Sequence, residues 1–146
     1  GQAYIGSRDD DRIGKEQQVR WDGTRSISAE IVRLDDFLND VEGLSLIKAD
    51  IEGAELFAFE GADKLISKFQ PTVICEINPW FLDGFGVRLA DLTGFFYARG
   101  YRLFSYRTDS PRNRLIETND LDVVEDNYVF LHPKFESRFS ELLETI

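Results

Sequence analysis

The sequence lacks the features that mark several common classes of protein. It has a single cysteine, Cys75, so it cannot form an internal disulfide, and we expect a cytoplasmic location. No apolar run approaches the roughly 18 residues that a membrane helix needs, and the amino terminus shows no charged-then-apolar signal pattern. The single histidine, His132, cannot form a histidine-rich metal site on its own. These absences favour a soluble protein.

Basic side chains are fewer than acidic ones. The 146 residues contain 17 Lys and Arg against 27 Asp and Glu, for a formal net charge of −10. Such a surface repels a phosphate backbone, and no basic amphipathic helix is present to lie on a membrane. We therefore expect neither nucleic acid nor a membrane as a partner.

Three short catalytic signatures are also missing: the G-x-S-x-G nucleophile elbow, the G-x-G-x-x-G loop and the P-loop. Cys75 ends an apolar run at residues 72–75, where burial raises a thiol pKa, so we expect an inert core residue. Residues 9–11 are three aspartates without the alternating ligands and closing Glu of a calcium loop, so we expect a solvated loop.

The length fits one α/β domain over residues 1–146, large enough to bury a core. Near-continuous apolar runs predict strands, and helical spacing between them predicts helices. The predicted strands are residues 44–49, 72–77, 101–106 and 127–131, and the predicted helices are residues 34–38, 55–69 (broken or kinked at Gly61), 89–99 and 133–144. This alternation predicts a mostly parallel sheet with helices on both faces, in which residues 44–49 and 72–77 are adjacent, parallel and covered on both sides.

Other segments depart from that alternation. Residues 27–31 alternate as a half-buried strand does, and residues 115–116 could form a short one. Residues 80–86, after an Asn-Pro pair, are predicted to be a loop. No helix is predicted between the last two strands, so we expect them to form an antiparallel hairpin at one edge of the sheet.

Charged and polar side chains follow two of the predicted strands. Ligands bind at the carboxyl ends of strands in open parallel sheets, so both sets are candidates. The first set is Lys48, Asp50, Glu52 and Glu55, and the second is Glu76, Asn78 and Trp80. We expect Asp50 and Glu76 to lie at one edge of the sheet, about one water-bridged contact from a common point.

A purely structural interpretation accounts for part of this cluster. Asp50, Glu52 and Glu55 surround the start of a helix, where carboxylates cap amides and complement the dipole. An ion pair from Lys48 to Asp50 or to Glu76 would also need no catalysis. His132, alone at a strand end, is expected to be incidental.

Three strings of residues have the composition and spacing of a known family. They are L-D-D-F-L at residues 34–38, L-I-K-A-D-I-E-G-A-E at residues 46–55 and E-G-A at residues 60–62. Together they resemble the FkbM family of S-adenosylmethionine-dependent methyltransferases. P-T-V-I-C-E at residues 71–76, G-Y-R-L-F at 100–104 and N-Y-V-F at 127–130 resemble its later strands, so the resemblance covers residues 26–131.

The resemblance implies a Rossmann-like fold, S-adenosyl-L-methionine as cofactor, and transfer of a methyl group to a hydroxyl of a sugar, polyketide or related small molecule. It corresponds to the second half of the family domain. Neither the glycine-rich loop that binds the cofactor nor the later acidic residue that holds its ribose occurs before residue 34. We therefore expect residues 1–146 alone to bind the cofactor weakly and to be inactive, and an unpaired sheet edge to favour self-association or pairing of that edge with residues 2–33.

The resemblance also suggests roles for the candidate residues. Asp50 is the first candidate for the base that takes the acceptor proton, or for a contact with the cofactor near the reacting centre. Lys48 shares the catalytic role, and Glu52 either shares it or binds the acceptor. Glu76, Asn78 and Trp80 bind the acceptor, with Trp80 and Phe81 as aromatic walls. Two alternatives remain: a binding or assembly module without turnover, and an enzyme that holds Mg²⁺ with Asp50, Glu52 and Glu76.

Overall fold

The structure is a computed structural model that describes residues 2–5, 27–108, 113–120, 123–124 and 126–143, with backbone alone at 2–5 and 27–29. The aspartates at residues 9–11 lie outside the described residues. In chain order the elements are β1 Gln2–Ile5, β2 Ile27–Glu30, α1 Leu34–Phe37, β3 Leu46–Ala49, α2 Glu55–Glu60, α3 Asp63–Phe69, β4 Thr72–Ile77, α4 Pro79–Gly84, α5 Leu89–Tyr97, β5 Arg102–Arg107, β6 Arg114–Glu117, β7 Asp126–Leu131 and a 3-10 helix, Pro133–Phe139.

Five strands form one mixed sheet in the order β3-β4-β7-β5-β6, and β1 and β2 form a separate antiparallel pair. The four predicted strands do share this sheet, and β3 and β4 are adjacent and parallel, as predicted. The prediction of a mostly parallel sheet was wrong, because the other three neighbouring pairs are antiparallel.

The position of β7 accounts for this difference. β7 lies between β4 and β5 and runs antiparallel to both, whereas it was predicted at an edge. Its last four residues, 128–131, are all buried, as a central strand covered on both faces requires. The edge hairpin is instead formed by β5 and β6.

One face of the sheet, here called the helical face, carries Val73, Cys75 and Ile77 of β4. The five α-helices of the described residues all contribute to the core on this side. The largest side chains there are aromatic, with the rings of Phe96 and Phe130 stacked at 4.0 Å and that of Phe59 edge-on to Phe96 at 4.9 Å.

The opposite face, here called the groove face, carries Ile74 of β4 and is covered by the 3-10 helix. In the part of the chain that the structure describes, α-helices pack on the helical face alone, and the helix predicted at residues 133–144 is 3-10 and ends at Phe139. Arg102 attaches it to the sheet, because its guanidinium pairs with Glu117 of β6 and, at 2.6 Å, with Glu136 of the 3-10 helix.

The segment predicted as a loop at residues 80–86 begins as a helix, α4. Asn78 Oδ1 accepts hydrogen bonds from the amides of Trp80 (3.0 Å) and Phe81 (3.4 Å). Pro79 occupies the first helical position, where its missing N–H costs nothing. The Asn-Pro pair therefore starts a helix here, where the sequence interpretation took it only as a strand terminator.

β3 lies at one end of the sheet and pairs only with β4 among the described residues. Leu46 is 54% exposed and Lys48 is exposed, so the prediction that this strand is covered on both faces was wrong. Self-association through this edge stays a prediction. No helix in the described part of the chain is long and apolar enough to span a bilayer.

Candidate functional site

The polar residues after β3 and β4 meet on the groove face at the carboxyl ends of these two strands. Lys48 is in register with Ile74 of β4, and Glu76 lies two residues further along the same face. Lys48 Nζ donates to Asp50 Oδ2 at 2.9 Å, across the end of β3. The two side chains are 56% and 48% exposed, so this ion pair is open to solvent.

The carboxyl group of Asp50 has a pKa below its ordinary value. The largest cause is the hydrogen bond from Lys48, the next is a hydrogen bond shared with Glu76, and the charge of Lys48 adds to both. The structure thus brings Lys48, Asp50 and Glu76 together, as the strand-end argument predicts. Asp50 is ionised throughout the neutral range because its charged form is the one these contacts stabilise.

The pKa of the buried Cys75 thiol is affected by the same carboxylates, although this side chain lies on the opposite face of β4. Burial raises its pKa most, and the nearby carboxylates of Glu55, Glu76 and Asp50 raise it further. Cys75 is fully buried, and its Sγ donates to the Glu76 carbonyl at 3.4 Å. It is therefore an unreactive core residue, as predicted.

A tight turn follows Asp50. Glu52 has φ of 57° and Gly53 has φ of 100°, both in the left-handed region. A Cβ at Gly53 would lie 2.4 Å from the carbonyl oxygen of Phe81 and 2.9 Å from the Phe85 ring, so only glycine lets the turn approach α4 this closely. The turn is thereby held against the helix that follows β4.

Glu55 is structural. Its side chain is almost fully buried, and its Oε1 accepts a hydrogen bond from the amide of Ile51 at 3.0 Å. This hydrogen bond spans the turn and fixes the backbone that carries Asp50 and Glu52. Sequence analysis placed it at a helix start, which is where it lies, but did not predict this burial.

Asp35 of the L-D-D-F string is a second structural carboxylate. It is buried, and its two oxygens accept from the amides of Lys64 (3.1 Å) and Leu65 (3.0 Å). These amides belong to the first turn of α3, which has no cap from its own N-cap residue, Ala62. Asp35 therefore caps a helix that begins 28 residues later, counting from 35 to 63.

The other candidates have mixed positions. Asn78 uses its amide oxygen to cap α4, which accounts for it without a ligand. Trp80 is 46% exposed in the first turn of that helix, with its ring edge-on to Phe81 at 5.0 Å. Glu52 is exposed on the turn. His132 caps the 3-10 helix by accepting from the Lys134 amide at 3.2 Å, which agrees with an incidental role.

One residue that sequence analysis missed lies beside this cluster. Asn127 of β7 is opposite Glu76 in the antiparallel register, at the same edge of the sheet. The insertion of β7 between β4 and β5 brings it there, and no sequence signal predicted that insertion.

The magnesium alternative has no suitable donor set in the part of the chain that the structure describes. No group of three or more His, Cys, Asp or Glu side chains there is arranged to hold a metal ion. Lys48, whose ammonium is bonded to Asp50, also competes with a cation for that carboxylate.

A family model described as the methyltransferase FkbM domain matches residues 2–103. The chain belongs to the FkbM methyltransferase family. The match covers the L-D-D-F string, the turn after β3 and the end of β4, so the FkbM domain includes all of Lys48, Asp50 and Glu76. It begins before the stretch on which the resemblance was based and ends near the start of β5. Comparisons with curated proteins and with solved structures gave no match.

Proposed function

We propose that this FkbM-family protein transfers a methyl group from S-adenosylmethionine to a hydroxyl oxygen of a small molecule, and that Asp50 binds and deprotonates that hydroxyl. The observation that carries the proposal is the ionised, half-exposed carboxylate of Asp50, held at the carboxyl end of β3 by Lys48 and Glu76. Family membership supports methyl transfer, and the identity of the acceptor and the cofactor belongs to the proposal.

The described residues fit the reacting end of the cofactor by charge. When bound, S-adenosylmethionine supplies an electrophilic methyl group on a positively charged sulfonium. The ionised carboxylate of Asp50, half exposed at this edge of the sheet, is a negative charge that complements a sulfonium nearby. The weak cofactor binding expected of residues 1–146 stays a prediction, which titration with S-adenosylhomocysteine tests.

Asp50 would accept a hydrogen bond from the acceptor hydroxyl and so direct an oxygen lone pair at the methyl carbon. Most of the rate gain in such a displacement comes from this positioning. Its lowered pKa makes Asp50 a weak base, but this does not prevent proton transfer. As the carbon–oxygen bond forms and the carbon–sulfur bond breaks, the hydroxyl becomes a protonated ether, a far stronger acid than any carboxylic acid. The proton therefore passes to Asp50 late in the step.

Lys48 and Glu76 position this group. The Lys48 hydrogen bond fixes the Asp50 side chain and keeps it ionised, and Glu76 contacts it from β4. Glu52, on the following turn, would contact the acceptor or the cofactor. Trp80 offers an exposed aromatic surface after β4.

The experiment is methyl transfer from radiolabelled S-adenosylmethionine by the native protein to two probes, ω-hydroxydecanoic acid and methyl glucoside. We expect labelling of one probe, lost in Asp50→Asn and kept in Asp40→Asn, which changes an exposed carboxylate outside the cluster. The proposal would be contradicted if neither probe is labelled. It would also be contradicted if the two variants label a probe equally.

A further inference from the structure

The groove face carries an open cavity that none of the roles above uses. Its volume is about 690 Å³, between the sheet and the 3-10 helix. Pockets for small molecules have about 300–1,000 Å³ and are mostly apolar with a few polar groups, and this cavity fits both descriptions. Its apolar walls include Leu46, Ile74, Leu115, Val129, Phe135 and Phe139.

The strand register connects this groove to the candidate site. Ile74 lines the groove, and its neighbours are Lys48 in register on β3 and Glu76 two residues along β4 on the same face. Asn127, opposite Glu76, also lines the groove. The groove therefore reaches Asn127, opposite Glu76, on the face of the sheet that carries the candidate site.

The groove has two charged wall residues of opposite sign. The carboxylate of Asp126 already accepts from the backbone amide of Asn127 at 2.7 Å. Arg138 is exposed, its guanidinium lies 4.8 Å from the Phe135 ring, and it has no carboxylate partner within the described ranges. Arg138 is therefore the wall cation with which an anionic group of a ligand can pair.

We propose that this groove binds the aliphatic body of the methyl acceptor and that Arg138 pairs with an anionic group on it. The inference rests on the proposed function and specifies its substrate class as a hydroxylated aliphatic carboxylate, whether of fatty-acid or polyketide origin. A sugar is disfavoured because these walls would leave many of its hydroxyls without hydrogen-bond partners. The hydroxyl of the aliphatic acceptor lies at the end of the groove, beside Asp50.

Binding measured by calorimetry, without cofactor, tests the groove apart from the chemistry. The probes are ω-hydroxydecanoic acid, decanediol and methyl glucoside, titrated into the native protein. Leu46→Asp places an unpaired charge in the groove at an exposed position, and Phe37→Asp, at a residue 71% exposed outside it, is its control. Arg138→Gln removes the cation, and Lys134→Gln, in the same 3-10 helix, is its control.

We expect the hydroxy acid and the diol to bind and the glucoside not to bind. Leu46→Asp should weaken binding of both at least about tenfold, because the bound aliphatic chain would cover the new carboxylate without giving it a partner. Arg138→Gln should weaken the hydroxy acid up to about fivefold and leave the diol unchanged, as loss of an exposed ion pair predicts. Neither control should change binding, and thermal unfolding checks that each variant folds.

Two results would overturn the inference. One is binding of the hydroxy acid that Leu46→Asp leaves unchanged. The other is a dimer that excludes the probes and that Leu46→Asp dissociates, since a second copy would then cover the groove. Groove-dependent binding of the hydroxy acid without methyl transfer would instead contradict the proposed reaction and keep the groove as a site for aliphatic carboxylates.

Discussion

The contrast between the two aspartates of the L-D-D-F string gives a quantitative test of the structure. Asp35→Ala removes a carboxylate that is 1% exposed and that accepts from two amides in the first turn of α3. Each buried amide left without a partner costs about 1–3 kcal/mol, so the two amides together would cost about 2–6 kcal/mol. Partial access of water to the Lys64 amide reduces the sum, so we expect a loss of about 2–4 kcal/mol in the free energy of unfolding.

Urea unfolding, followed by circular dichroism, measures that loss. In thermal unfolding, a chain of this size loses about 2–4 °C in Tm per kcal/mol of stability, so Tm should fall by roughly 4–16 °C. Asp36→Ala is the matched control, because Asp36 is adjacent, exposed and should change the free energy by at most about 0.5 kcal/mol. Equal losses in the two variants, or a loss below about 0.5 kcal/mol for Asp35→Ala, would refute the assignment of Asp35 as the cap of α3.

Three further outcomes follow from the site. Gly53→Ala should destabilise the fold by more than about 1 kcal/mol, because φ is 100° and a Cβ would meet a backbone oxygen at 2.4 Å. Gly84→Ala is the control and should not destabilise it, since the space around a Cβ there is open. Urea unfolding compares the two variants. Lys48→Met should raise the pKa of Asp50 toward its ordinary value, since the Lys48 hydrogen bond is the largest cause of its lowering, and NMR titration of the carboxyl carbon reports the change. The Cys75 thiol should react with Ellman's reagent only on unfolding, and rapid reaction of the folded protein would contradict its burial.

The lowered pKa of Asp50 also sets the sign of its pH dependence. A carboxyl whose pKa is lower in the folded state stabilises that state at pH values above the pKa of the unfolded chain, and the contribution disappears as pH falls through the folded value. Methyl transfer should likewise fall only in the acidic range, as Asp50 becomes protonated. Lys48→Met should move that acidic limit to higher pH. An unchanged pH profile would show that the protonation of Asp50 does not control methyl transfer.

Local patterns predicted the strands and the meeting of the two strand ends, because apolar runs and parallel adjacency are properties of neighbouring segments. β3, β4 and the break at Gly61 follow from such signals. The insertion of β7 between β4 and β5 does not, because strand order depends on which surfaces pack, and β7 has the same apolar pattern at an edge or in the centre. Because the position of β7 was not predicted, neither the place of Asn127 beside the site nor the groove could be predicted.

The candidate site was predicted in composition but not in the division of roles. Asp50, Glu52 and Glu55 are equivalent in sequence, as carboxylates at a helix start, yet of the three only Glu55 is buried, and its carboxylate accepts from the Ile51 amide. The same holds for Asp35 and Asp36. Burial, which depends on tertiary packing, distinguishes a structural carboxylate from one open to a ligand, and sequence spacing alone does not contain it.

The effect of Asp50→Asn on kcat of the native protein tests the central claim most directly. Asp50 is half exposed, so the free energy of unfolding should fall only slightly, while loss of the group that aligns and deprotonates the hydroxyl should lower kcat by about a hundredfold. Glu55→Gln is the comparison, because it removes a buried carboxylate that accepts from the Ile51 amide and should therefore lower the free energy of unfolding. An unchanged kcat in a folded Asp50→Asn protein would contradict the assignment of Asp50 to the reaction.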